Sequence, residues 1–174
     1  MRAFTADVAT TGRVPPSKRS RLTLPGERRP LSIGAGSHVV GYAGHNHLMD
    51  EPGFPFLAVT RRPHLGYFAL ACRTAPYLGR PFRSARLHGL LLTRDLMYPG
   101  AFTIDGLVRG LAAGEPQHHV WLRGVKKYAR FQKRPVGVIR RAFIHDGEAR
   151  FQRRYCGRGA ALQPLGQCPS AVRD

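Results

Sequence analysis

With 174 residues, the chain has room for one domain with a real core and is short for two. An apolar fraction of 43% is ordinary for a globular protein and argues against wholesale disorder. Lys+Arg 28 against Asp+Glu 10 gives a formal net charge of +18, a field that attracts polyanions such as nucleic acid.

Nearly all of that charge is arginine, with lysine only at Lys18, Lys126, Lys127 and Lys133. It travels with abundant Gly, Ala and Pro, so a GC-rich codon bias explains it as readily as selection for phosphate binding. Cys72, Cys156 and Cys168 have no CxxC spacing, which speaks against a zinc knuckle or a disulfide scaffold. No apolar segment follows the charged start, and no apolar run approaches the roughly 20 residues that span a bilayer. A cytoplasmic protein without a membrane span is expected. Pro15, Pro16 and Pro25 interrupt the long amphipathic helix of an organellar transit peptide.

In chain order, residues 1–36 read as a disordered basic arm without helical or alternating period. A single α/β domain is expected over 37–145 and a loose basic tail over 146–174. Three short apolar runs, near 38–43, 66–71 and 88–93, are bounded by turn residues and read as buried strands of a largely parallel sheet. The segment between the last two, with Pro76, Gly79 and Pro81, reads as a loop. Thr103 caps a predicted helix over 103–113 that carries Ile104, Leu107, Val108 and Leu111. A second amphipathic helix is predicted over 118–133, with Trp121, Val125, Tyr128 and Ala129 on one face and a stop before Pro135. Val136 to Ile144 reads as one more strand or a short helix. The expected architecture is a small three-layer α/β domain with helices flanking the sheet. Because the first forty residues supply no βα unit, the chain reads as a small or N-terminally incomplete version of a doubly wound domain.

Two of the predicted strands run directly into reactive side chains. Tyr42-Ala43-Gly44 leads to His45, and Phe68-Ala69-Leu70-Ala71 leads to Cys72. In parallel α/β sheets, catalytic groups gather outside the carboxyl ends of the strands, and neighbouring strands lie about 4.8 Å apart. If the two strands are neighbours, His45 and Cys72 emerge on one edge. An imidazole there takes the thiol proton, the thiolate attacks a carbonyl, and His45 protonates the leaving group. Backbone N–H groups at the turn through Asn46 and at Cys72 are the candidate oxyanion donors. Arg73, Thr74 and Asp95 lie just past strand ends and are candidates for a substrate pocket. Taken singly, Cys72 also fits a buried small hydrophobe and His45 a turn residue.

A strand ending in His followed by a strand ending in Ala-Cys resembles the caspase/legumain/clostripain group of cysteine peptidases. The pairing of Gly44-His45-Asn46-x-Leu48-Met49-Asp50 with Leu70-Ala71-Cys72 is also similar to uncharacterised bacterial proteins that look like distant caspase-like members. The resemblance spans about residues 37–145 and rests on these two short motifs. It implies His45 as general acid/base, Cys72 as nucleophile, a peptide or protein substrate and no cofactor. The peptidases usually carry Gly directly after the His, where this chain has Asn46.

Two other readings are open. His45-x-His47-x-x-Asp50 has the residue types of a metal-dependent hydrolase, with further ligands to come from His88, His118 or His119. From Arg123 to Arg158, Tyr128, Phe131, Phe143, Phe151 and Tyr155 interleave with cations, as in a surface that neutralises phosphates and stacks on bases. The same pattern also arises from a buried aromatic face and a solvated charged one.

Overall fold

The structure is a computed structural model that describes residues 21–22, 31–32, 37–50 and 65–155. Of the expected basic arm, β1 (Arg21–Leu22) and β2 (Leu31–Ser32) are described, and they form a short antiparallel pair. The rest of the arm and the tail beyond 155 lie outside the described residues.

The domain is α/β and three-layered. Its sheet has the order β3-β4-β5-β6, built from β3 (Val39–Ala43), β4 (Gly66–Leu70), β5 (His88–Thr93) and β6 (Phe143–Ile144). The first three strands are parallel and β6 is antiparallel to β5. Every residue of β4 is buried, as a central strand covered on both faces requires. Alternate strand residues feed two cores. Tyr67, Ala69 and Leu92 face one side with Leu78, Phe82 and Phe151, while Phe68, Leu70 and Leu91 face the other with Leu107, Trp121 and Val125.

The first layer includes α1 (Thr74–Ser84), which occupies the segment expected to be a loop. Pro76 falls in the first turn, where a missing N–H is an orphan in any case. Pro81 does remove an internal hydrogen bond, but Ala75, Leu78 and Phe82 are fully buried on one face. Burial of three apolar side chains, at about 1.5–3 kcal/mol for each large one, outweighs the proline penalty of roughly 3 kcal/mol.

The opposite layer holds α2 (Ala101–Ala112) and α3 (Gln117–Phe131). Thr103 lies inside α2 rather than capping it. Gly100 is the cap, and the Thr103 hydroxyl is buried with no hydrogen-bond partner among the described residues. A Cβ on Gly106 would sit 2.7 Å from the Arg123 carbonyl oxygen, so glycine there lets α2 and α3 approach backbone to backbone.

Val136 to Ile144 satisfies both expectations in sequence. It forms α4 (Val136–Ile139), a 3-10 turn over Arg140–Ala142, and then β6. Beyond it, the stretch expected to begin a loose tail carries the buried Asp146 and α5 (Ala149–Tyr155), whose Phe151 is fully buried against the α1 layer.

Candidate active site at the carboxyl edge of the sheet

The register of β3 and β4 decides what meets at this edge. Ala43 pairs with Leu70 as the last aligned pair, and the Gly44 N–H donates to the Leu70 carbonyl at 3.1 Å. His45 and Cys72 therefore each stand two residues beyond the last aligned pair, on adjacent parallel strands and on the same edge.

A compact turn follows β3. The Tyr42 hydroxyl donates to the His45 carbonyl at 2.6 Å, and a 3-10 turn over His47–Met49 drops Leu48 into the core. Asn46 is fully buried. Its side-chain oxygen accepts from the Leu48 N–H at 3.2 Å, and its amide donates to the Cys72 carbonyl at 2.6 Å. Expected as a turn residue and oxyanion donor, Asn46 is the tie that clamps the His45 turn onto the Cys72 turn.

His45 itself is exposed and hydrogen-bonds through Nε2 to the Asp50 carboxylate at 2.5 Å. If Nε2 carries the proton, Nδ1 is left as the basic nitrogen, an orientation that histidine bases draw from a carboxylate partner. The His47 ring stands edge-on to His45, with centroids 5.1 Å apart. Cys72 is half-buried and directs its Sγ to the Met97 carbonyl at 3.7 Å. Among the described residues, His45 and Cys72 share an edge but no hydrogen bond.

After Cys72 the chain turns sharply. Arg73 takes a left-handed conformation, φ 51° and ψ 41°, and α1 begins at Thr74. A non-glycine residue in that region is uncommon; here it re-aims the backbone from strand to helix within one residue. The Arg73 N–H donates to the Asp95 carbonyl at 3.1 Å, which brings the turn after β4 against the turn after β5. Arg73 and Asp95 are both exposed.

Thr74 corrects one expectation. It is fully buried and its groups are spent on structure: its N–H donates to Thr93 Oγ1 at 2.9 Å, and its own hydroxyl donates to the Ala69 carbonyl at 3.0 Å. The Thr93 N–H donates back to Thr74 Oγ1 at 3.0 Å. Thr74 and Thr93, both fully buried, fasten α1 to β4 and β5.

A second polar cluster, on the opposite edge, was not foreseen. Asp146 is buried after β6 and accepts from the Gly89 N–H at 2.9 Å, from Gln117 Nε2 at 2.5 Å and from Arg83 Nη1 at 3.2 Å. Beside it, the buried His145 meets His118 through a 3.1 Å nitrogen–nitrogen hydrogen bond and packs its ring against Trp121. Burial holds the His145 imidazole below the usual histidine range, against the opposing pull of Glu148. Of the histidines considered as extra metal ligands, His118 belongs to this cluster, and His88 begins β5 at the same amino edge.

No protein-family model, curated protein or solved structure matches the chain. What the fold and site define is a three-layer α/β domain with an exposed His–Asp pair and a half-buried thiol on the carboxyl edge of a largely parallel sheet. No helix among the described residues is long and apolar enough to cross a membrane.

Proposed function

We propose that the chain is a cysteine hydrolase of caspase-like design, with Cys72 as nucleophile and His45 as general acid/base. The observation that carries this reading is the β3–β4 register, which sets His45 and Cys72 at equivalent positions past adjacent parallel strands. The His45–Asp50 pair adds an orienting carboxylate that the two motifs alone did not indicate.

In the proposed reaction, His45 takes the Cys72 thiol proton and the sulfur attacks the substrate carbonyl carbon, forming a C–S bond. His45 then delivers that proton to the leaving nitrogen or oxygen as its bond to the carbonyl carbon breaks. Water, deprotonated by His45, attacks the thioester; the C–S bond breaks, the acid is released and the thiol is restored. The oxyanion is assigned to the backbone N–H of Cys72 itself, since those of Arg73 and Thr74 donate to Asp95 and Thr93. Arg73 and Asp95, exposed beside that turn, are positioned to meet polar groups of a peptide substrate.

The test is covalent capture by peptide chloromethyl ketones of varied sequence, read by mass spectrometry of the Cys72 peptide. A Cys72 adduct that is lost in His45→Ala supports the reading. Equal labelling of wild type and His45→Ala would exclude a dyad.

A second reading, binding of a polyanion such as nucleic acid through the Arg123–Arg158 region, is favoured by a groove of about 240 Å³ between α2 and α3. Arg109, Arg123, Lys126, Lys127 and Arg130 line it over Gly106. Asp105 takes Lys127 and Arg109, and Glu115 takes Arg123. Both carboxyls are held below the usual carboxylate range by those partners. Lys126 and Arg130 have no acidic partner among the described residues. Oligonucleotide affinity is expected to fall steeply with salt, and Lys126→Ala/Arg130→Ala to lower the slope of log K against log [salt] by about 2. A slope unchanged by that double substitution would remove the groove from consideration.

A further inference from the structure

The turn after β3 holds more ligating groups than acid–base chemistry needs. His45, His47 and Asp50 each present one ligand atom, and these atoms all lie within 4.8 Å of one another. Two imidazoles and a carboxylate are the donor set of three-ligand zinc sites, in which a fourth position is left to water.

The spacing is close to what such an ion needs. Ligand atoms about 2.0–2.1 Å from a zinc ion are separated by a little over 3 Å in a tetrahedral arrangement. His45 Nε2 and Asp50 Oδ2, hydrogen-bonded to each other at 2.5 Å, stand closer than that and would part to admit an ion. All three side chains are exposed, so small rotations suffice to open the set around an ion.

The backbone beneath them is fixed. Tyr42 holds the His45 carbonyl, the Asp50 N–H donates to the His47 carbonyl at 3.1 Å, and the Met49 N–H donates to the Asn46 carbonyl at 3.0 Å. The buried Asn46 and Leu48 anchor the turn from below. Adaptable ligands on a rigid turn suit reversible metal binding.

We infer that His45, His47 and Asp50 form a binding site for a divalent transition metal of the zinc class, and that its occupation shuts off Cys72. A bound ion takes both the nitrogen by which His45 is oriented and the carboxylate that orients it. His45 cannot serve the ion and the thiol together. Metal binding stands on the turn alone, whereas the inhibitory consequence rests on the Cys72–His45 reading.

The experiment titrates the full chain with Zn²⁺ against a chromogenic chelator, in wild type, His47→Ala and Cys72→Ser, with Co²⁺ as a spectroscopic substitute. Alkylation of Cys72 is followed in parallel by peptide mass mapping, which separates it from Cys156 and Cys168. His47 is exposed and outside the proposed acid–base pair, so its removal tests the ligand set while both members of that pair remain. Expected are one equivalent of zinc in wild type and in Cys72→Ser, and an affinity lowered at least about tenfold in His47→Ala. Cobalt should show weak visible bands without the intense near-ultraviolet band of a thiolate ligand. Zinc should slow Cys72 alkylation in wild type and not in His47→Ala.

Binding indifferent to His47→Ala, or lost in Cys72→Ser, overturns the site. Binding that needs His47 but leaves alkylation unchanged overturns the inhibition and keeps the site. If alkylation without metal is also indifferent to His45→Ala, the hydrolase reading fails while the metal site stands.

Discussion

Asp146 shows how a single residue reaches across this fold. Its carboxylate joins the start of β5, the start of α3 and the end of α1, and its ion pair with Arg83 is buried on both sides, at 1% and 2% side-chain exposure. Removing one partner of such a pair leaves the other charge desolvated and alone, which costs about 3–5 kcal/mol. Asp146→Ala is therefore expected to lower the urea midpoint sharply, whereas Glu115→Ala, which breaks a surface pair, should leave it nearly unchanged. Equal effects of the two would contradict the buried role of Asp146. The neighbouring His145 gives a pH signature. Burial lowers its folded-state affinity for a proton below the unfolded value of about 6.5, so the unfolded chain binds the proton more readily. Its contribution to stability is complete above that value and is lost as pH falls through the folded-state value. Urea midpoints of wild type should drop faster than those of His145→Gln between about pH 7 and 5; parallel curves would show that His145 carries no such linkage. None of this was legible in the chain. Arg83 and Asp146 are 63 positions apart, and a long-range buried ion pair leaves no local pattern to read.

Elements were legible where periodicity and burial agreed. The strands at 39–43, 66–70 and 88–93 fall within a residue of expectation because short apolar runs between turns have few other uses in a chain of this size. The helices at 101–112 and 117–131 were found from their apolar faces, with starts displaced by one or two residues. Thr103 misled because a threonine before an apolar stripe is also an ordinary buried helix residue. α1 was missed for a definite reason: Pro76, Gly79 and Pro81 are breakers by propensity, and tertiary burial of Leu78 and Phe82 overrides them. Packing of α2 on α3 supplies a direct test. A Cβ at Gly106 meets backbone rather than a flexible side chain, so Gly106→Ala is expected to destabilise by about 1–3 kcal/mol despite alanine's better helix propensity. A stabilised Gly106→Ala protein would mean that the two helices do not approach so closely.

Across the whole molecule, polar chemistry is segregated by sheet edge. The amino edge holds Asp146, Arg83 and His145, all buried, with Asp146 bonded to Arg83 and His145 to His118, which is the signature of structure. The carboxyl edge holds His45, Asp50, Arg73 and Asp95, exposed around a half-buried thiol, which suits chemistry on an incoming substrate. That His45 and Cys72 emerge on one edge was readable because parallel strands carry their sequels in register. The role of Asn46 as a clamp and the Asp50 partnership were not, because both depend on how the turn from His45 to Asp50 folds back on itself. The central claim, that His45 controls the reactivity of Cys72, is tested most directly by the rate of iodoacetamide alkylation of Cys72 at neutral pH. The account predicts fast alkylation in wild type, a rate lowered at least about tenfold in His45→Ala, and an intermediate rate in Asp50→Asn. A Cys72 that reacts equally fast in all three proteins would contradict it.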